Sequence, residues 1–305
     1  MTAPLIIGIH GLSNKPEQSI LKEFWKTSIC EGLTKNQDVS NPQFDFELVY
    51  WADEMYKYPL QRDENFASDD LYNEEPYVEA EPNTLKPRKE YFLDELFSVA
   101  SEATGAISSA LNIDAPMSLV ADLVMKAKLK DLYTYYTNAQ KAEKLRGLLK
   151  NVLQGHQDRK VMLVAHSMGS IIAYDTLTLM GKAPSTYGLD SFITIGSPLG
   201  MQIVKDRIVD ENPDRGPEEN RLRTPTAVKA QWVNFADRRD PVAIDPKLKN
   251  DFGPNGSGVS VRDDMVLNDY RILKAGRPEP EKNPHKSYGY LRTPEFSALV
   301  KKFLG

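Results

Sequence analysis

The residues best suited to chemistry lie in the run Val161-Met-Leu-Val-Ala-His-Ser-Met-Gly-Ser-Ile-Ile-Ala-Tyr174. An apolar, strand-like stretch leads straight into Ala165, His166, Ser167, Met168 and Gly169, and a helix-compatible segment follows. A serine on a sharp strand-to-helix turn sits in strained backbone geometry, and the residues two before and two after it must be small to avoid collision. Ala165 and Gly169 meet that demand. Such a turn lifts the Ser167 hydroxyl above a sheet and places it at a helix amino terminus, whose dipole favours a developing anion. The chemistry is attack on a carbonyl with a covalent acyl intermediate. As a bare pattern, Ala-x-Ser-x-Gly arises by chance. Between a buried strand and a helix it points to a nucleophile.

The strand, the elbow and the helix resemble the α/β-hydrolase family, in particular its lipase and esterase branch, where Ala is a known variant of the first elbow glycine. The resemblance runs from Leu5 to Leu304 apart from two irregular stretches. In that family a His-Gly pair after an early strand positions an oxyanion donor, and here the matching run is Ile9-His-Gly-Leu12. The resemblance therefore implies the N–H groups of Leu12 and Met168 as the two donors of an oxyanion hole. His10 is expected to brace its loop by hydrogen bonding, with a role as catalytic base as the rival reading. Gly196, Ser197 and Pro198 also match this branch, where the run implies a wall of the acyl pocket.

The family order of nucleophile, acid and histidine places the general base late in the chain. The sequence holds 4 histidines: His10, His156, His166 and His285. His156 sits in a polar turn and is expected to face solvent, and His166 is the residue inside the elbow. That leaves His285, just before the last helical segment, with a surface-loop histidine as the bland alternative. The acid is expected beyond the apolar run Trp232–Phe235, where Asp237, Asp240 and Asp245 are available. Family members often carry Asp followed by Pro or Val, which matches Asp240, Pro241 and Val242. Asp240 is the expected carboxylate that orients His285 and stabilises its imidazolium, and Asp237 is the reserve.

Positioning these groups takes a sheet. Five apolar runs read as buried strands: Leu5–Ile9, Phe46–Trp51, Val161–Ala165, Phe192–Ile195 and Trp232–Phe235. Continuous apolar runs suit a mostly parallel sheet covered on both faces. Helical candidates lie between and after them, over Pro16–Leu33, Ala139–Leu153, Gly169–Met180 and Thr293–Leu304. The expected fold is a three-layer α/β/α hydrolase fold, with residues 1–305 as one domain. An insertion over residues 53–136 breaks the rhythm. Within it, Leu93, Leu96, Phe97, Ala100, Ala103, Ile107 and Leu111 recur at helical spacing, and Pro116 separates this stripe from a second helical segment ending near Tyr136. A lid over the site is one reading of the stripe, and plain packing is the other. The charged stretch Lys205–Thr226 is expected to be a long surface loop.

Composition narrows the function classes. With 41% apolar and 27% charged residues the balance is that of an ordinary globular chain, and a net charge of -5 argues against a nucleic-acid partner. The single cysteine, Cys30, excludes an intrachain disulfide and is expected to pack in a helix. No basic segment precedes a long apolar run at the amino terminus, and no stretch reaches the ~18 apolar residues of a membrane span. The expected location is the cytoplasm, with signal-independent export as the alternative. The resemblance implies a serine hydrolase acting on a small-molecule or lipid ester, with transient contact at a lipid or membrane surface if the substrate is a lipid, and no metal or organic cofactor. A thioesterase or acyltransferase on the same residues, and a non-catalytic binding relative of the fold, are the alternatives.

Overall fold

Six strands form the main sheet, in the order β2-β1-β3-β4-β5-β6. They are β1 (Leu5–Ile9), β2 (Asp45–Val49), β3 (Val161–His166), β4 (Leu189–Ile195), β5 (Val228–Ala236) and β6 (Val261–Met265). Every neighbouring pair is parallel. The computed structural model describes residues 3–60, 77–80, 130–182, 187–210, 222–272 and 281–305.

The strands are apolar because both faces are covered. Successive side chains on a strand point to opposite sides. Leu5, Ile7 and Ile9 of β1 join Val161, Leu163 and Ala165 of β3 in one core, while Ile6, Met162 and Val164 join a second core on the other face. Helices α1 (Gln18–Gln37), α7 (Ser287–Leu291) and α8 (Pro294–Leu304) cover the second core. Helices α3 (Lys130–Thr137), α4 (Ala139–Gly155) and α5 (Met168–Lys182) cover the first. In α4, Ala142, Leu145, Leu149 and Leu153 are buried at three- and four-residue spacing, the stripe of a helix lying on a sheet. Asn138 caps its start by accepting from Lys141 N–H, and a cap of this kind contributes about 1 kcal/mol. Thr293 caps α8 in the same way, with Pro294 inside the first turn. The architecture is the expected three-layer α/β/α hydrolase fold.

Several elements differ from the sequence expectation. The second strand stops at Val49, because Trp51 turns away to hydrogen bond with His10 and leads into the short helix α2 (Ala52–Met55). The sixth strand, Val-Arg-Asp-Asp-Met, was not anticipated, since at the sheet's edge it carries charges that a buried strand does not tolerate. A two-stranded antiparallel ribbon, β7 (Arg271–Ile272) and β8 (Glu281–Lys282), was likewise not expected. The supposed loop Lys205–Thr226 starts inside a helix, α6 (Gln202–Asp210), which buries Val204 and Ile208 one turn apart. Residues 211–221 of that loop lie outside the described residues, and 222–226 lead into β5.

Of the insertion, residues 53–60, 77–80 and 130–136 are described. Residues 77–80 run along α1: Ala80 N–H donates to Glu31, Lys35 donates to Ala80 O, and the Arg292 guanidinium donates to Val78 O. The apolar stripe from Leu93 to Leu111 lies outside the described residues. No helix among the described residues is long and apolar enough to cross a membrane.

Candidate active site

In a parallel sheet all carboxyl ends meet at one edge, and ligands bind in the crevice beyond it. Here that edge gathers His10 after β1, Trp51 after β2, Ser167 after β3, Gly196 after β4 and Asp240 beyond β5. His285 arrives from the turn between β8 and α7.

Ser167 occupies the elbow with φ of 51°, the left-handed region that costs a non-glycine residue about 1–3 kcal/mol. Local bonds hold it there. Its N–H donates to Ile195 O at 3.2 Å, and the Ser170 hydroxyl donates to its carbonyl at 2.5 Å. The elbow also needs Gly169: a Cβ there would lie 2.5 Å from His10 O and 2.7 Å from Ile9 O.

Three expected residues meet in one line. His285 Nε2 lies 3.1 Å from Ser167 Oγ, and His285 Nδ1 lies 2.9 Å from both carboxylate oxygens of Asp240. All three side chains are buried. The network assigns the imidazole proton to Nδ1, leaving Nε2 to accept from the serine. The buried carboxylate is well satisfied, as a buried charge must be. Besides His285 it accepts from the Tyr290 hydroxyl at 2.7 Å, from Val242 N–H at 2.8 Å and from Ala243 N–H at 3.3 Å.

The reserve acid sits elsewhere. Asp237 is paired with the Arg239 guanidinium, at 2.6 Å and 3.0 Å, and accepts from Asn268 N–H at 2.6 Å. Asp245 lies further along, half-buried, 3.9 Å from Lys205.

The two expected oxyanion donors have no protein acceptor among the described residues. Met168 opens α5, and Leu12 follows Gly11, where a Cβ would lie 2.7 Å from Ser167 Cβ and 2.9 Å from His166 Nδ1. His10 braces this loop: Nε2 accepts from Trp51 N–H at 3.0 Å and Nδ1 donates to Gly11 O at 2.9 Å. With both ring nitrogens engaged and the ring stacked on Trp51, His10 has no lone pair left for a serine proton. His156 is partly buried, 2.8 Å from Glu47, rather than facing solvent freely.

The Gly196 run packs against Asp240 and His285. Gly196 has φ of 53°, and a Cβ there would lie 2.8 Å from Asp240 Oδ2 and 3.3 Å from His285 Nδ1. It makes room for the Asp240 and His285 side chains. Ser197 caps a short turn and bonds to Ser170.

Four supporting residues were not identified from the sequence. Asn268 donates to Pro284 O and Lys286 O, the carbonyls on either side of His285. His166 donates from Nε2 to His285 O at 2.7 Å. Tyr290 bridges the two acids, donating to Asp240 and accepting from Asp237 N–H. Asp131 accepts from Ser13 N–H in the loop after β1. Each contact is made by chain segments distant in sequence or by a loop turning back on itself, so no periodicity announces it.

Burial, followed by the neighbouring Asp240 and Asp237 charges, pushes the Tyr290 hydroxyl well above its ordinary value of 10.0. The unfolded tyrosine loses its proton near that value while the folded one keeps it. Stability is therefore fully present below about pH 10 and falls as pH rises further, by about 1.4 kcal/mol per pH unit for this residue. Denaturant melts between pH 8 and pH 11.5 should show a shallower alkaline decline for Tyr290→Phe than for the wild type, by that one-proton slope. Equal slopes would mean that the phenol ionises in the folded state.

A family model described as lecithin:cholesterol acyltransferase matches residues 131–209. This stretch carries α3, α4, β3 with the elbow serine, α5 and β4, but neither Asp240 nor His285, and it covers well under half of the chain. It supports acyl-ester hydrolase or acyltransferase activity on lipids in general terms. No curated protein matches the chain significantly.

Proposed function

We propose that this chain, a lipase-like α/β-hydrolase, cleaves carboxylic esters of lipids through an acyl-enzyme on Ser167. The observation that carries the reading is the buried line from Ser167 Oγ through His285 to Asp240, at 3.1 Å and 2.9 Å, on a strained elbow. A structural serine has no need of such a partner set.

Ser167 Oγ attacks the ester carbonyl carbon while His285 Nε2 takes its proton. The carbonyl oxygen becomes an oxyanion between the N–H groups of Leu12 and Met168. Asp240 holds the imidazolium and stays ionised. Collapse breaks the bond to the leaving alcohol, which takes the proton from His285. Water then gives a proton to His285 as it attacks the acyl carbon, and collapse breaks the bond to Ser167 Oγ, which takes that proton back from His285 and frees the carboxylic acid. An alcohol in place of water would complete an acyl transfer instead, and the family match favours testing that second reading.

The experiment is a panel of p-nitrophenyl esters of increasing chain length beside a phospholipid and a thioester, each with and without an added sterol or long-chain alcohol. Lipid-ester specificity requires kcat/KM to climb with chain length, by up to about fourfold per methylene for ~0.8 kcal/mol of burial. A new ester containing the added alcohol would identify a transferase. No turnover, together with no labelling by a fluorophosphonate, would leave only a binding relative of the fold.

A further inference from the structure

We infer that Asp131 is a positioning residue of the oxyanion hole, holding the Gly11–Ser13 loop so that Leu12 N–H faces the acyl carbonyl. The inference rests on the hydrolase reading above. It starts from one peptide unit, between Leu12 and Ser13. Its carbonyl oxygen accepts from the Lys15 ammonium at 2.5 Å, and its N–H donates to Asp131 Oδ2 at 2.8 Å. Both charged side chains are buried, Lys15 at 2% and Asp131 at 5% exposure. A cation at the carbonyl end and an anion at the N–H end fix the direction of that peptide, since turning it over would bring like partial charges onto each ion. Charge-assisted bonds of this kind are roughly twice as strong as neutral ones.

Ser13 itself has φ of 70°, a conformation that needs such a hold. The preceding peptide is fixed at its carbonyl, since Gly11 O accepts from His10 Nδ1. A trans peptide points its N–H opposite to its C=O, so Leu12 N–H is aimed by the same set of bonds and remains available. The other Asp131 oxygen accepts from the Tyr56 hydroxyl at 2.7 Å, which holds the carboxylate in place. Asp131 stands 118 residues from Ser13 in sequence, on α3, so the helix that closes the insertion grips the oxyanion loop directly.

The sign of the charge is informative. A carboxylate repels a nearby oxyanion, so Asp131 can help catalysis only through geometry. Asn keeps that geometry: its Oδ1 accepts from Ser13 N–H and its Nδ2 donates to the Tyr56 oxygen. Alanine keeps neither bond.

The test uses p-nitrophenyl butyrate turnover, melting curves, and inhibition by butylboronic acid, whose tetrahedral adduct on the serine needs both N–H donors. Asp131→Ala should lower kcat by about 10- to 100-fold with KM within about threefold, part of the 10²–10³ lost when a donor is removed outright. Butylboronic acid should weaken in parallel. Asp131→Asn should recover most of both. A folded Asp131→Ala protein with kcat within twofold of wild type would overturn the inference, as would equal losses in the Asn and Ala variants. If the Ala variant does not fold, Lys15→Met decides, since it releases the other end of the same peptide and must also lower kcat at constant KM. A wild type neither labelled by a fluorophosphonate nor inhibited by the boronic acid would overturn the hydrolase reading, and this one with it.

Discussion

Ser167→Ala is expected to abolish ester hydrolysis and fluorophosphonate labelling together, while the protein melts within a few degrees of the wild type. In triads of this kind, loss of the nucleophile costs on the order of 10⁶ in kcat, and the residual rate comes from the oxyanion hole and binding. The fold has little at stake. The substitution removes one hydroxyl oxygen whose bond is to His285 Nε2, and the main-chain bonds of the elbow, Ser167 N–H to Ile195 O and Ser170 Oγ to Ser167 O, are untouched. Active-site titration beside a thermal melt checks both halves. Labelling that persists in the variant would place the nucleophile elsewhere.

Asp240→Asn should lower kcat by about 10⁴-fold, the effect of forcing the wrong imidazole tautomer. The environment explains why an amide is a poor substitute here. Tyr290 OH, Val242 N–H and Ala243 N–H all donate to this carboxylate, as does His285 Nδ1. An amide NH₂ must therefore face a donor wherever it points, and facing His285 it would force the proton onto Nε2, where the serine proton has to go. Asp237→Asn should act differently. Its carboxylate is fully buried against Arg239 and also accepts from Asn268 N–H, and Asn268 in turn clamps the carbonyls around His285. Breaking a buried pair by removing one partner costs about 3–5 kcal/mol. The expected result is a clear fall in melting temperature and a loss of kcat per titrated site far smaller than at Asp240. A larger kcat loss at Asp237 would show that the acid had been misassigned.

The contrast between the two aspartates shows where sequence reasoning ran out. Both follow the same strand, three positions apart, and a family pattern favoured Asp240. The folded loop separates their surroundings: Gly196, in a left-handed conformation, leaves room for Asp240 Oδ2 beside His285, whereas Asp237 pairs with Arg239. The elbow was different. Its chemistry is local, because a buried strand, two small residues, a serine and a helix within a dozen positions are the turn itself, so Ser167 could be read without knowing what surrounds it. The parallel sheet was legible for the same reason, through apolar runs covered on both faces, and the charged edge strand Val261–Met265 was not, because an edge asks for no apolar signature. His166, Asn268, Tyr290 and Asp131 carry no pattern. What places them is a hydrogen bond that exists only once segments from distant parts of the chain are packed together. This chain's sequence by itself determined the strand-elbow-helix turn at Ser167 and the sheet edge that presents it. The tertiary structure decided which carboxylate and which supporting polar groups surround it, since burial makes each buried donor and acceptor find one partner among several that local sequence cannot distinguish.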